Sequence, residues 1–165
     1  MAKKFIPTLV IGMGGTGHRA VVRLKRIMEK NGLGDVPVIK YLVFDCDTDE
    51  VIGSMSASEM EPNEFYHLTV KNASGIVREA HEGGAQPLIG KWIPKEFTPT
   101  DIKDGAGQIR SSGRLAIFWN CHVVIAAIAQ ALNQINQMGN DRRMKELGFE
   151  LTRKDAQAVF TIYHV

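Results

Sequence analysis

The stretch VIGMGGTGHRA at residues 10–20 places a glycine-rich turn directly between an apolar run and a helical pattern. Within it, Gly12, Gly14 and Gly17 have the spacing G-x-G-x-x-G. Glycines at this spacing allow a tight turn and a close approach of the backbone to a phosphate, and the N–H groups at the helix start can bind the anion. The stretch therefore predicts an α/β fold with a phosphate site at residues 12–17.

Apolar runs and helical periodicity on both sides of this turn predict a parallel sheet. The apolar runs at 5–11 and 37–44 flank an amphipathic segment at 17–30, and such a βαβ connection is right-handed in nearly all proteins. The predicted fold is a three-layer, Rossmann-like α/β domain with a mostly parallel sheet and helices on both faces. The expected elements are strands at 5–11, 37–44, 65–70 and 157–164 and helices at 17–30, 72–82 and 113–137, with an exposed polar segment at 139–156.

The longest helical pattern, at 113–137, has apolar residues at intervals of three and four positions. Polar residues at Asn120 and His122 interrupt the apolar run, so we expect a core helix rather than a membrane span. We interpret His122 as a structural histidine within that core. His18, beside the glycine turn, is also interpreted as structural, with a phosphate contact as the alternative.

Composition and charge exclude several classes of function. The chain has 165 residues and a net charge of +2, which is typical of one globular domain and not of a general nucleic-acid or membrane-surface binder. Cys46 and Cys121 form no metal-binding motif, so reduced thiols and a cytoplasmic location are expected. Pro7 interrupts the basic and apolar N-terminus, which we interpret as a strand and not a secretory signal. The chain contains no HExxH, GxSxG or Walker motif.

A second informative stretch, FDCDTDE, follows the predicted strand at 37–44. A dinucleotide-binding domain needs an acidic residue at the end of its second strand, and Asp45 has roughly that position. However, Asp47, Asp49 and Glu50 add further negative charge, which would repel a pyrophosphate unless a cation lay between them. We predict a functional role for Asp47 and solvent-exposed positions for Asp49 and Glu50.

A third stretch, GAGQIRSSGR at residues 105–114, is another glycine-rich turn that leads into a helix. Gly105 and Gly107 give the backbone conformational freedom, and we expect Ser111 or Ser112 to cap the helix. The turn also carries positive charge, at Arg110 and Arg114. Two such turns could converge on one polyphosphate.

In this order, the three stretches resemble the phosphate loops of the tubulin and FtsZ superfamily, and more narrowly those of bacterial tubulin-like proteins. GMGGTGHRA resembles the first loop, and FDCDTDE resembles the second, which lies near magnesium in that family. GAGQIRSSGR resembles the third, and the run at 157–165 resembles the strand before the family's glycine-rich signature loop. Residues 51–104 match nothing specific.

The resemblance implies GTP or GDP and Mg²⁺ as ligands, and a homo-polymer or homo-oligomer as partner. From the net charge and the pattern of the long helix we expect no nucleic acid as partner and no membrane span. Asp47 is the one residue assigned to the metal, and no catalytic residue is assigned. The nucleotide-binding residues that it implies are Gly12, Met13, Gly14, Gly15, Thr16, Gly17, Arg19, Asp45, Asp47, Gly105, Ala106, Gly107 and Arg114.

Three features of the family are missing from these 165 residues. They are the glycine-rich signature loop, the central helix with its base-binding asparagine, and the acidic loop that acts on the nucleotide of a neighbouring subunit. In addition, Arg19 stands where FtsZ has an asparagine near the base. We therefore expect residues 1–165 to be the N-terminal part of a nucleotide-binding domain, truncated before the signature loop, that hydrolyses GTP poorly by itself.

Two other classes of protein remain open at this point. One is a Rossmann domain of an NAD-linked oxidoreductase or of an adenylating enzyme, since the first glycine turn fits both. The other is a binding-only scaffold with a degenerate pocket. A titration with GTP, ATP and NAD tests the scaffold, which predicts that none of them binds. The sequence beyond Val165 discriminates between the tubulin-like and Rossmann hypotheses.

Overall fold

The computed structural model describes residues 3–48, 60–84, 87–137 and 139–152. The strand expected at 157–164 lies outside the described residues, as do Asp49 and Glu50.

The N-terminal apolar segment forms two strands, β1 (Lys3–Phe5) and β2 (Thr8–Met13). The single strand expected at 5–11 is therefore wrong. Between the two strands lies Pro7, which has no N–H to donate to a neighbouring strand. The two strands also belong to different sheets, since β1 pairs with a C-terminal strand and β2 with a central one.

The βαβ unit expected from the sequence is present. The glycine turn leads from β2 into helix α1 (Gly14–Lys30), and strand β3 (Ile39–Asp45) follows. β2 and β3 are parallel, with a register that runs from Thr8 opposite Ile39 to Met13 opposite Phe44. α1 begins three residues earlier than its periodicity predicts, because the glycine turn itself forms its first turn.

Strand β4 (Phe65–His67) completes a parallel sheet of order β2-β3-β4. It is shorter than the strand expected at 65–70, because Val70 instead forms an antiparallel bridge with Ile102. Two helices follow, α2 (Ala73–His81), close to the bounds expected from the sequence, and α3 (Pro87–Gly90).

The long apolar segment forms two helices, α4 (Arg110–Trp119) and α5 (Cys121–Ile135), which are bent by 70°. The expected single helix is therefore wrong. Asn120 lies at the bend, where its Nδ2 donates to the carbonyl oxygens of Thr69 at 3.0 Å and Ala116 at 2.9 Å. His122 is exposed, so its interpretation as a core histidine is also wrong. Among the described helices, no single one is long and apolar enough to cross a membrane.

Strand β3 separates two layers of helices. Its side chains at Leu42 and Phe44 belong to a core cluster with residues of α2, α4 and α5. Tyr41 and Val43, which alternate with them, pack with residues of α1. This alternation is what a strand buried on both faces requires. The three-layer, Rossmann-like α/β fold predicted from the sequence is therefore confirmed.

The segment after α5 forms a helix, α6 (Asn140–Glu146), and a strand, β5 (Phe149–Leu151), that pairs in parallel with β1. Met144 is fully buried, and Asn140 is buried with its Nδ2 donating to the carbonyl oxygens of Gln134 and Ile135. Most other described residues of the segment are exposed, so the expectation of an exposed polar segment is wrong only for Asn140 and Met144 and for the partly buried strand β5.

Candidate functional site

The three stretches singled out in the sequence lie at the carboxyl end of the parallel sheet. Met13 is the last residue of β2 and is opposite Phe44 of β3, so the glycine turn and the turn after Asp45 leave the sheet side by side. The third stretch joins them, because the N–H of Gly105 donates to the carbonyl oxygen of Cys46 at 2.9 Å. In open α/β sheets, ligands bind at this end of the strands.

In the glycine turn at residues 12–17, hereafter the first glycine turn, glycine is needed for two different structural reasons. A Cβ built on Gly12 would lie 2.5 Å from the carbonyl oxygen of Gly17, so this pair is required for β2 and α1 to pack. Gly14 has a φ of +65°, and a Cβ built on it would meet nothing within 4 Å. Gly14 therefore serves the turn itself and faces open space.

The first helix begins at this turn without a cap from its N-cap side chain. The N-cap residue is Met13, which is 45% exposed and has no side-chain hydrogen bond to the first turn. No acidic residue lies in the first turn of α1. A helix N-terminus leaves N–H groups without intrahelical partners and carries a partial positive charge. This end of α1 is therefore suited to an anion.

The turn that follows β3, hereafter the second turn, is organised by the buried carboxylate of Asp45. Its Oδ1 accepts hydrogen bonds from the N–H groups of Cys46 at 2.7 Å and Asp47 at 3.3 Å. Burial, together with the nearby charges of Asp45 and Asp47, raises the pKa of the Cys46 thiol from 9.0 to about 11. Cys46 therefore stays protonated near neutral pH, and Asp45 fixes the turn that presents Asp47.

The turn at residues 105–108, hereafter the third turn, lies against Asp47. A Cβ built on Gly105 would lie 3.7 Å from Oδ2 of Asp47. The φ angle is positive at Gly105, Gly107 and Gln108, so the turn uses left-handed backbone at three of four successive residues. This backbone favours glycine at positions 105 and 107, whereas Gln108 adopts it with a Cβ.

The expected serine cap of the helix after this turn is wrong. The N-cap residue of α4 is Ile109, with no side-chain hydrogen bond, and the first turn contains no acidic residue. Ser112 is buried inside the helix. α4 therefore resembles α1 in having an N-terminus that its own N-cap side chain does not satisfy.

The basic side chains expected at the turns make contacts of their own. Nε of Arg19 donates to the carbonyl oxygen of Gly15 at 3.2 Å. The guanidinium of Arg114 lies over the ring of Trp92, 4.2 Å from its centroid, which is a cation–π arrangement. Both residues are exposed. His18, in contrast, is 4% exposed and its ring lies 5.3 Å from that of Phe65, as the structural interpretation predicts.

Sequence reasoning missed His67, at the end of β4. Its Nε2 lies 3.0 Å from the carbonyl oxygen of Cys46 and 2.9 Å from that of Lys103. These partners are 21 and 36 positions away in the sequence, so no local motif indicates the contact.

The metal-binding capacity of the described residues is limited. No group of three or more His, Cys, Asp and Glu side chains among them could hold a metal ion. Asp47 is half-buried at the meeting point of the second and third turns. Mg²⁺ is commonly held by one or two carboxylates together with substrate phosphates and waters. The residues present therefore fit a magnesium that arrives with a phosphate ligand.

The fold is that of a Rossmann-like α/β domain, and three of its turns meet at the carboxyl end of the parallel sheet. The sequence model of a family described as tubulin-like matches residues 9–163. The chain therefore belongs to the tubulin-like family. No curated protein and no solved structure is significantly similar to it.

Proposed function

We propose that the chain is the guanine-nucleotide-binding module of a tubulin-like protein. The nucleotide phosphates would lie at the carboxyl end of the parallel sheet, where the three turns meet. The observation that carries the proposal is that α1 and α4 both begin at glycine turns, with apolar N-cap residues and no acid in either first turn. Their N–H groups and partial positive charges favour an anion. Membership of the tubulin-like family favours a guanine nucleotide over other phosphates.

The proposed phosphate contacts are mainly backbone N–H groups. Gly14 faces open space at the first turn, and the third turn has left-handed residues at Gly105, Gly107 and Gln108. Backbone with alternating handedness turns successive N–H groups toward one side, which favours anion binding. The proposed contacts are the backbone of Gly12, Met13, Gly14, Gly15, Thr16, Gly17, Ala106 and Gly107. Gly105, whose N–H donates to the Cys46 carbonyl oxygen, shapes the third turn instead.

Magnesium would be held by Asp47 and by the phosphates that it accompanies. When bound, the ion would neutralise phosphate charge. Asp47 is the proposed ligand because its carboxylate lies beside Gly105. Asp45 has a different role in this proposal, since its Oδ1 already accepts two backbone hydrogen bonds and orders the turn.

Arg19 and Arg114 are proposed to reach the nucleotide from the rim of the site. Both are exposed, and both lie in the second turns of the helices that begin at the glycine turns. To contact a phosphate, Arg114 would exchange its position over Trp92 for a charge-assisted hydrogen bond. Loss of the cation–π contact would change the environment of the Trp92 indole, which provides an optical signal of binding.

The dinucleotide alternative predicts a different use of Asp45. In such a domain, the acid at the end of the second strand accepts hydrogen bonds from the ribose. Here the Asp45 side chain is 5% exposed and bonds its own turn. This geometry favours a mononucleotide whose phosphates, rather than its ribose, lie at the turn.

Calorimetric titration with GTP, GDP, ATP and NAD, each with and without Mg²⁺, tests the proposal. We expect binding of guanine nucleotides that is tighter with Mg²⁺, and weaker or absent binding of NAD. Tighter binding of NAD than of GTP would support the dinucleotide alternative. No binding of any of the four would indicate a scaffold with a degenerate pocket, and would contradict the proposal for this chain.

We further propose that these residues are the N-terminal part of a larger GTP-binding domain that can assemble with copies of itself. The acidic group that would activate water is not among the proposed contacts, and in the resembled family it acts across a subunit contact. Hydrolysis needs a positioned water and stabilisation of transition-state charge in addition to bound phosphates. Residues 1–165 would then bind GTP and turn it over slowly.

A further inference from the structure

We propose that His67 is a positioning residue of the nucleotide site, because its imidazole ties the third turn to the end of β3. The inference rests on the proposed function for its effect on nucleotide binding. The tether itself can be tested without any nucleotide.

The geometry determines which ring nitrogen carries the proton. Nε2 of His67 lies 3.0 Å from the Cys46 carbonyl oxygen and 2.9 Å from the Lys103 carbonyl oxygen. Carbonyl oxygens only accept hydrogen bonds, so Nε2 must be the donor in both contacts. A ring nitrogen has one hydrogen, and the two carbonyls therefore share it.

The same carbonyl oxygen is also bonded by the third turn. The Cys46 oxygen accepts from the N–H of Gly105 at 2.9 Å as well as from His67. A carbonyl oxygen has two lone pairs and can accept both hydrogen bonds. Three segments thus meet at one atom: the end of β3, the end of β4 and the residues 103–105.

The third turn needs such restraint because of its backbone. Gln108 is a non-glycine residue with a φ of +60°, a conformation that side chains with a Cβ disfavour. Unfavourable backbone conformations persist where surrounding contacts determine them. His67 fixes Lys103 from one side, and the Gly105 hydrogen bond fixes the turn at its first glycine.

The solvent exposure of the His67 side chain distinguishes its role as a hydrogen-bond donor from a role in packing the core. His67 is exposed at the end of β4, whereas its neighbour Leu68 is 2% exposed. Replacing His67 therefore removes the donor without opening a cavity in the core. The expected consequence is a more mobile third turn and weaker binding of phosphates by the N–H groups of Ala106 and Gly107.

The test compares His67→Phe, which keeps a ring but loses the donor, with His67→Gln, which keeps an N–H donor. His122→Phe, at an exposed histidine of α5, is the matched control. In the nucleotide-free chain, amide hydrogen exchange at Gly105 should accelerate in His67→Phe. Gln should restore the protection at least in part, and the control should exchange like the wild type.

The affinity for GTP with Mg²⁺ should fall by about two- to tenfold in His67→Phe, the range that loss of one hydrogen bond gives. It should fall less in His67→Gln and not at all in the control. Unchanged exchange at Gly105 in His67→Phe overturns the tether. Faster exchange with unchanged GTP affinity overturns the positioning role. If the wild-type chain binds no nucleotide, the proposed function and the positioning role both fail, whereas the exchange data still decide the tether.

Discussion

Replacing Gly14 with valine separates backbone strain from ligand exclusion. Gly14 has a φ of +65° and a Cβ there would meet nothing within 4 Å, so the cost to folding comes from the backbone alone. Left-handed backbone costs roughly 1–2 kcal/mol for a residue with a Cβ. The same side chain would occupy the open space in which we place a phosphate.

The chain offers a matched control at the other end of the same helix. Gly32 has a φ of +71°, and a Cβ there would also meet nothing within 4 Å. Gly32→Val should therefore lower the free energy of unfolding by a similar ~1–2 kcal/mol. Urea denaturation of both variants measures this cost, and calorimetry at a temperature where both are folded measures GTP affinity.

We expect Gly14→Val to lose at least about tenfold in GTP affinity, equivalent to ~1.4 kcal/mol, and Gly32→Val to bind GTP like the wild type. Equal affinities of the two variants would refute the assignment of Gly14 to the phosphate site. A much larger loss of stability in Gly14→Val than in Gly32→Val would refute the claim that its surroundings are open.

Three further predictions concern other parts of the site. Gly12→Ala should lower the free energy of unfolding by about 1–3 kcal/mol in thermal or urea denaturation, because its Cβ would overlap the Gly17 backbone, 2.5 Å away. A variant as stable as the wild type would contradict the close packing of β2 on α1 at this pair. At pH 8, iodoacetamide should modify exposed Cys121 much faster than buried Cys46, because a pKa of about 11 leaves little Cys46 thiolate. Modification of Cys46 should accelerate as the pH rises toward that value. Equal rates for the two cysteines, measured by mass spectrometry, would contradict the buried position of Cys46. GTP turnover by residues 1–165, measured at several protein concentrations, should be slow. Fast turnover that rises linearly with protein concentration would show that one copy holds a complete active site, and would contradict the proposal.

Local patterns predicted the elements that form the site. The strand, glycine turn and helix at residues 8–30 depend on neighbouring residues, and β3 is mostly apolar, with Lys40 as its one charged residue before Asp45. Both are therefore visible in the sequence. The break at Pro7 also follows from a local property, the missing N–H of proline, although the apolar pattern around it favours one strand.

Non-local contacts account for what the sequence did not predict. The bend at Asn120 depends on a hydrogen bond to the carbonyl of Thr69, which is 51 positions away. The pairing of Lys3 with Phe149 joins the two ends of the described chain. The tether at His67 likewise joins segments that only the folded sheet brings together. Helical periodicity is continuous through Asn120 and is therefore insensitive to the bend.

We propose that the glycine turns at 12–17 and 105–107 bind one set of nucleotide phosphates. Amide ¹H–¹⁵N NMR spectra of the chain, recorded during a titration with GTP and Mg²⁺, test it most directly. We expect the largest shifts to occur together, with one affinity, at the amides of Gly14–Gly17 and Gly105–Gly107, while those of Gly32 and Gly148 stay in place. Shifts at only one of the two turns, shifts centred elsewhere, or no shifts at saturating GTP would contradict it.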